Sequence, residues 1–165
     1  MQKIIINVAL LLLLPHQTFA LTADKAENLL LMADKMTFSN KQKIGTYLGH
    51  VYLKQGSSTL HANKAWTYTN NNHQLDKAIA LGNATKQALF ETLMEGQKDK
   101  LKGAADKISY FPNKQLIRLE GHAFLSQGKN TYQAPLIIYD ITKQRLISQK
   151  TSKSRSHITI EETIA

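Results

Sequence analysis

From about residue 33 to residue 139, apolar and polar side chains alternate in short runs with a period of two, the pattern of strands that show different chemistry to two faces. Within that pattern, Gly49-His50-Val51-Tyr52-Leu53-Lys54-Gln55-Gly56 returns 72 residues later as Gly121-His122-Ala123-Phe124-Leu125-Ser126-Gln127-Gly128, with five of the eight positions identical. A second motif occurs four times: Ala33-Asp34-Lys35-Met36-Thr37-Phe38, Ala62-Asn63-Lys64-Ala65-Trp66-Thr67-Tyr68, Ala105-Asp106-Lys107-Ile108-Ser109-Tyr110 and, degraded, Ala134-Pro135-Leu136-Ile137-Ile138-Tyr139. Most copies end in Thr or Ser alternating with aromatic residues, a composition that strands favour. The second copy is one residue longer, which predicts a β-bulge there. Repetition at a fixed distance implies a fold made by stacking one supersecondary unit.

Turn chemistry fills the gaps. Ser39-Asn40-Lys41-Gln42, Asn70-Asn71-Asn72-His73, Pro112-Asn113-Lys114-Gln115 and Ile141-Thr142-Lys143-Gln144 each follow an aromatic strand end. Gly49, Gly82 and Gly121 read as junctions where one strand gives way to the next, so the order is strand, Asn turn, strand, Gly junction, strand, repeated. The Ala- and Leu-rich stretch 83–95 has helical composition, yet it fills a slot that strands fill elsewhere and is read as strand. Residues 21–32 hold a short helix or a first strand, which periodicity alone does not decide. The expected fold class is all-β, a solenoid-like sheet or elongated jelly roll whose open edges are templates for another chain's strand.

At the N-terminus the pattern changes. Lys3, the apolar run Ile4 to Leu14, Pro15 and the small residue ending Thr18-Phe19-Ala20 read as a cleavable secretory signal over residues 1–20. The β domain then covers 21–150, followed by a flexible basic tail, 151–165, in which Ile158-Thr159-Ile160 is expected as a stray strand.

Composition removes several chemistries. With no cysteine in 165 residues there are no disulfides, thiolate nucleophiles or Cys-ligated metals. The net charge of +9 invites a nucleic-acid reading, but Lys and Arg are dispersed along the chain and an exported protein meets little nucleic acid. An anionic partner bearing phosphates suits the charge better, with Lys35, Lys64 and Lys107 at repeated strand starts placed to meet it at the rim. His50 and His122 are equivalent repeat positions expected to face solvent rather than to ligate a metal, and Asp34 and Asp106 recur as structural residues. No nucleophile elbow or phosphate loop occurs, so neither catalytic residues nor a cofactor or metal is expected.

The repeated Ala-Asp-Lys strands, the Gly-His junctions and the Gln-Gly corners, together with the signal, resemble the periplasmic lipopolysaccharide-transport protein A family, the OstA-like proteins, over roughly Leu29 to Lys150. The resemblance implies an elongated, open, V-shaped β-jelly roll of consecutive antiparallel strands, periplasmic and non-enzymatic, that binds the lipid A part of lipopolysaccharide in its apolar interior. It also implies head-to-tail homo-oligomers that bridge an inner-membrane anchored jelly-roll protein and an outer-membrane translocon. A structural adaptor that joins such partners by edge-strand addition, without binding lipid, is the alternative.

A lipid carrier faces one physical problem. Each acyl methylene left in water costs about 0.8 kcal/mol, so the chains need a continuous apolar trough. The motif register assigns Met36, Phe38, Trp66, Tyr68, Ile108, Tyr110, Ile137 and Tyr139 to its inner face, and Val51, Leu53, Ala123 and Leu125 from the Gly-His strands. Leu29, Leu31, Leu60, Leu101 and Leu119 join them if their neighbours pair in register, and a one-residue slip reverses any assignment. The same residues would serve as ordinary core in a closed jelly roll. Pro135 confines its strand to an edge or a bulge.

Overall fold

The structure is a computed structural model, and it describes residues 27–94, 96–149 and 155–160; the expected signal at 1–20 lies outside them, as do parts of the expected tail. Twelve strands among these residues form one antiparallel sheet: β1 Leu30–Met32, β2 Lys35–Ser39, β3 Ile44–Gln55, β4 Ser58–Thr69, β5 Leu75–Leu81, β6 Ala88–Leu93, β7 Lys100–Ala105, β8 Lys107–Phe111, β9 Leu116–Gln127, β10 Asn130–Asp140, β11 Arg145–Gln149 and β12 His157–Thr159. The Ala- and Leu-rich stretch supplies β6, because its alternation places Ala88 and Phe90 on the buried face. Residues 30–32 are a strand rather than a helix. Residues beyond 150 also enter the sheet, since β12 pairs with β10.

Among the described residues the sheet is two copies of a six-strand unit. Strands β2, β3 and β8, β9 have bounds offset by 72 residues, and β4 and β10 begin at the same offset. The copies join where β5 pairs with β8 and β6 with β7.

Gly49 and Gly121 do not end strands as expected; each lies in the middle of a 12-residue strand. At Gly49-His50 both residues have positive φ, 74° and 44°, and at Gly121-His122 the values are 76° and 46°. Pairing slips there, from Leu48↔Lys64 to Val51↔Ala62 and from Glu120↔Leu136 to Ala123↔Ala134. The extra residue therefore sits in β3 and β9, not in β4 where the longer motif copy had placed it. Such a bulge bends its strand. Pro135 lies in β10 across from the second bulge, where the register shift spares it a ladder donor.

Bending along this line folds the sheet into two layers. The first contains β2, the start of β3, the end of β4, β5, β8, the start of β9, the end of β10, and β11. The second contains β1, the end of β3, the start of β4, β6, β7, the end of β9, the start of β10, and β12. One apolar cluster drawn from both layers fills the space between them, including Ile108, Leu119 and Ile137 from the first and Phe90, Leu101 and Leu125 from the second. Far from the bend, left-handed residues Lys43, His73, Gln115 and Gln144 close the four Asn- and Lys-rich turns of the first layer.

A candidate binding interior

Directly opposed residues on antiparallel strands share a face, so the register traces the interior residue by residue. In the first layer one row runs Met36, Tyr47, Ala65, Ala80, Ile108, Leu119, Ile137, Ser148. A second, nearer the turns, runs Phe38, Gly45, Thr67, Ala78, Tyr110, Ile117, Tyr139, Leu146. The facing layer contributes Leu31, Leu53, Leu60, Phe90, Gly103, Leu125, Tyr132, Ile158. A Cβ at Gly103 would collide with the Phe90 ring, so only glycine lets that ring lie across the strand.

Burial along these rows is uneven. Leu119, Leu125 and Ile137 are at most 1% exposed, whereas Met36, Phe38 and Ile158 are 48%, 53% and 56% exposed. Packing is thus densest in the central strands of the second repeat, and the rows open at the edge strands of both ends. Buried Met94, in the β6–β7 connection, adds to the core cluster, and Gln97 Nε2 donates to Gln144 Oε1 at 3.2 Å, which ties a second-layer loop to a first-layer turn across the mouth. Among the described residues, the buried Gln127 Nε2 and Tyr139 hydroxyl find no hydrogen-bond partner. Burial pushes the Tyr110 and Tyr139 phenols above their ordinary pKa.

The register places Leu31, Met36, Phe38, Val51, Leu53, Leu60, Leu101, Ile108, Tyr110, Leu119, Ala123, Leu125, Ile137 and Tyr139 on inward faces. Leu29 precedes β1 and is exposed. Trp66 and Tyr68 point the other way: Trp66 opposes Thr46 and Ile79, and Tyr68 opposes Ile44 and Lys77, whose ammonium lies 4.3 Å from the Tyr68 ring centre. In the first-layer half of β4 the inward residues are Ala65 and Thr67, because β4 is the counterpart of β10 and not of β2, and aligning it with β2 shifts it by one residue. Lys35, Lys64 and Lys107 are also misplaced at the rim. They share one row with Leu48, Leu81 and Glu120 on the outer face beside the bend, and Lys107 is ion-paired with Glu120 at 3.0 Å. The turns at the mouth carry Lys41, Lys114 and Lys143 on one lip and Lys98 and Lys129 on the other. Phe90, Ile117 and Tyr132 are interior residues that motif alignment missed, although the alternation around each was the available signal.

At each bend a short polar clamp recurs. The Asp34 amide donates to the Gly49 carbonyl at 3.0 Å while His50 Nδ1 lies 2.8 Å from the Asp34 carboxylate; Asp106, Gly121 and His122 repeat this at 3.0 and 2.9 Å. Both imidazoles are largely exposed, and no cluster of three or more potential metal ligands occurs among the described residues.

Two carboxylates on the outer face are held below their ordinary pKa. A hydrogen bond from Lys102 dominates at Glu91, with Lys100 adding to it; at Glu120 burial acts in the opposite sense, but Lys107 and Arg118 together outweigh it. A depressed folded pKa contributes stability above the unfolded value, and that contribution is lost as pH falls through the folded value. Melting temperature is therefore expected to drop between about pH 5 and pH 3, with Glu120→Gln showing a smaller drop over the same range. A Glu120→Gln curve parallel to the parent's would refute this.

A β-sheet folded on a repeated bulge over an apolar interior, open along its edges, defines a jelly roll suited to enclosing apolar material. Residues 31–145 match the family described as LptA/(LptD N-terminal domain) LPS transport protein, and the chain belongs to that family. It is 28% identical over 125 residues to the lipopolysaccharide export system protein LptH of Pseudomonas aeruginosa, covering 76% of this chain and 70% of that protein. To the lipopolysaccharide export system protein LptA of Haemophilus influenzae it is 24% identical over 151 residues, 92% of this chain and 87% of the relative. The crystal structure of P. aeruginosa LptH, described as the LptA-homologous periplasmic component of the conserved lipopolysaccharide transport device, superposes with a TM-score of 0.75 at 25% identity, covering 84% of this chain and 99% of that one.

Proposed function

We propose that this chain is a periplasmic lipopolysaccharide carrier that shelters the acyl chains of lipid A between its two layers. The observation that carries the proposal is the unbroken inward row of the second layer, Leu31 to Ile158, which is apolar or glycine at each of its eight positions. An apolar face that long crosses both repeats and reaches both edges. Acyl chains enter where the rows are exposed at the edge strands, and the lysines of the turns meet the lipid phosphates at the mouth. Photo-crosslinkers at Phe38, Leu60 and Tyr110 are expected to label with lipopolysaccharide, while Trp66 and Tyr68, on the outer face, do not. Labelling of the outer pair alone would overturn the assignment. Displacement of a fluorescent lipid A separates the carrier from the lipid-free adaptor.

The edges support stacking of copies into a bridge between an inner-membrane anchored jelly-roll protein and an outer-membrane translocon. Among the described residues β1 and β2 pair only with β3, and β11 and β12 only with β10. Exposed large apolar residues gather there: Leu30, Met32, Met36 and Phe38 at one end, Ile147, Ile158 and Ile160 at the other. The internal joint also supplies a register. Ile158 faces Tyr132 as Phe90 faces Leu60, and Phe90 faces Gly103, the counterpart of Leu31. In a stack, Ile158 of one copy therefore lies opposite Leu31 of the next. Export is tested by intact mass: the secreted protein is expected to lack residues 1–20.

A further inference from the structure

At the joint inside the chain, the bend clamp of the second repeat has a fourth member. Gln87, just before β6, donates through Nε2 to Asp106 Oδ1 at 3.3 Å, the Gly121 carbonyl at 3.5 Å and the His122 carbonyl at 3.0 Å. One side chain of the first repeat thereby braces the corner of the second, whose Asp106 carboxylate stays 54% exposed. The equivalent corner of the first repeat, Asp34 with Gly49 and His50, has φ values within 2° of those at Gly121 and His122 and the same His–Asp pair, and its carboxylate is 62% exposed. No preceding repeat exists within the described residues to send it a donor.

The register says which residue of another copy would. Leu89 pairs with His61 and His157 pairs with Gln133, and His61 and Gln133 are equivalent positions of the two repeats. Two residues before Leu89 is Gln87; two residues before His157 is Arg155, which is exposed. We infer that Arg155 of one copy locks onto the Asp34 carboxylate and the Gly49 and His50 carbonyls of the next, in the position that Gln87 takes within the chain. Where the internal joint uses a neutral amide, the joint between copies uses a guanidinium, whose several donors suit a carboxylate flanked by carbonyls. The lock gives the stack direction, because among the described residues the β12 end carries Arg155 and the β1 end carries the corner of Asp34, Gly49 and His50.

The inference rests on the stacking proposed above, and two experiments keep them separate. The chain has no native cysteine, so Ala33→Cys and Ser156→Cys, the counterparts of the opposed pair Ala105 and Ala88, report stacking alone. Mixed single-cysteine variants are expected to form a disulfide-linked dimer; its absence overturns stacking and the lock with it. Arg155→Glu is then expected to weaken self-association about tenfold in sedimentation velocity, by setting two carboxylates against each other, with an unchanged monomer melt. Asp34→Lys combined with Arg155→Glu is expected to recover most of the loss. Cross-linking that persists while Arg155→Glu associates as tightly as the parent overturns the lock and leaves stacking in place.

Discussion

Leu119→Ala is expected to lower the unfolding free energy by about 3–5 kcal/mol, the upper part of the range for truncating a buried leucine whose surroundings cannot collapse. Leu119 is fully buried and lies between Ile108 and Ile137 in the central row of the first layer, with strands on both sides fixing its position. Met36 occupies the same row at the edge and is half exposed, so Met36→Ala in a dilute monomer is expected to cost about 0.5 kcal/mol or less. Urea unfolding of both variants at low protein concentration measures the difference. Similar costs would mean that the two repeats are equally packed and that the open end is not open in solution. The contrast bears on transport, because an amphiphile can enter only where the protein's own side chains leave the row uncovered.

The second large effect is expected at the bend. Gly121 has φ of 76°, and a Cβ there would strike the Asp106 carboxylate. Gly121→Ala is expected to cost about 1–3 kcal/mol from the left-handed backbone, with the collision in addition. Adding Asp106→Ala removes the collision but not the backbone cost, so the double variant is expected to be less destabilised than the sum of the single ones by about 1 kcal/mol or more. Strict additivity of the thermal or urea data would show that the carboxylate relaxes out of the way at no cost, and that the clamp does not hold the bend.

Much of the fold was legible because two signals coincided. Period-two alternation set the strands, and the 72-residue recurrence of the Gly-His octet set the stacking. What alignment of short motifs could not supply was the position of each strand within the repeating unit. Ala62 to Tyr68 resembles Ala33 to Phe38 in its residues, yet β4 is a long central strand and β2 a short edge, and the difference moved Trp66 and Tyr68 to the outer face. The lysines misled for a related reason. Recurrence correctly put Lys35, Lys64 and Lys107 in one row, but which face and which end of the strand that row occupies depends on the bend, and the bend depends on two successive left-handed residues that glycine alone does not announce. The packed interior of the second repeat was likewise hidden, since Leu119 and Met36 have the same pattern in sequence and differ only in what covers them.

The joint between the two halves of this chain has a consequence for distance. If neighbouring copies meet through the same strands in the same register, span is counted in half-molecules of constant rise, and a wider gap is crossed by recruiting further subunits rather than by lengthening the polypeptide. Splicing a third 72-residue unit into the chain would then act as one built-in half-step, moving the far terminus outward without altering either docking end.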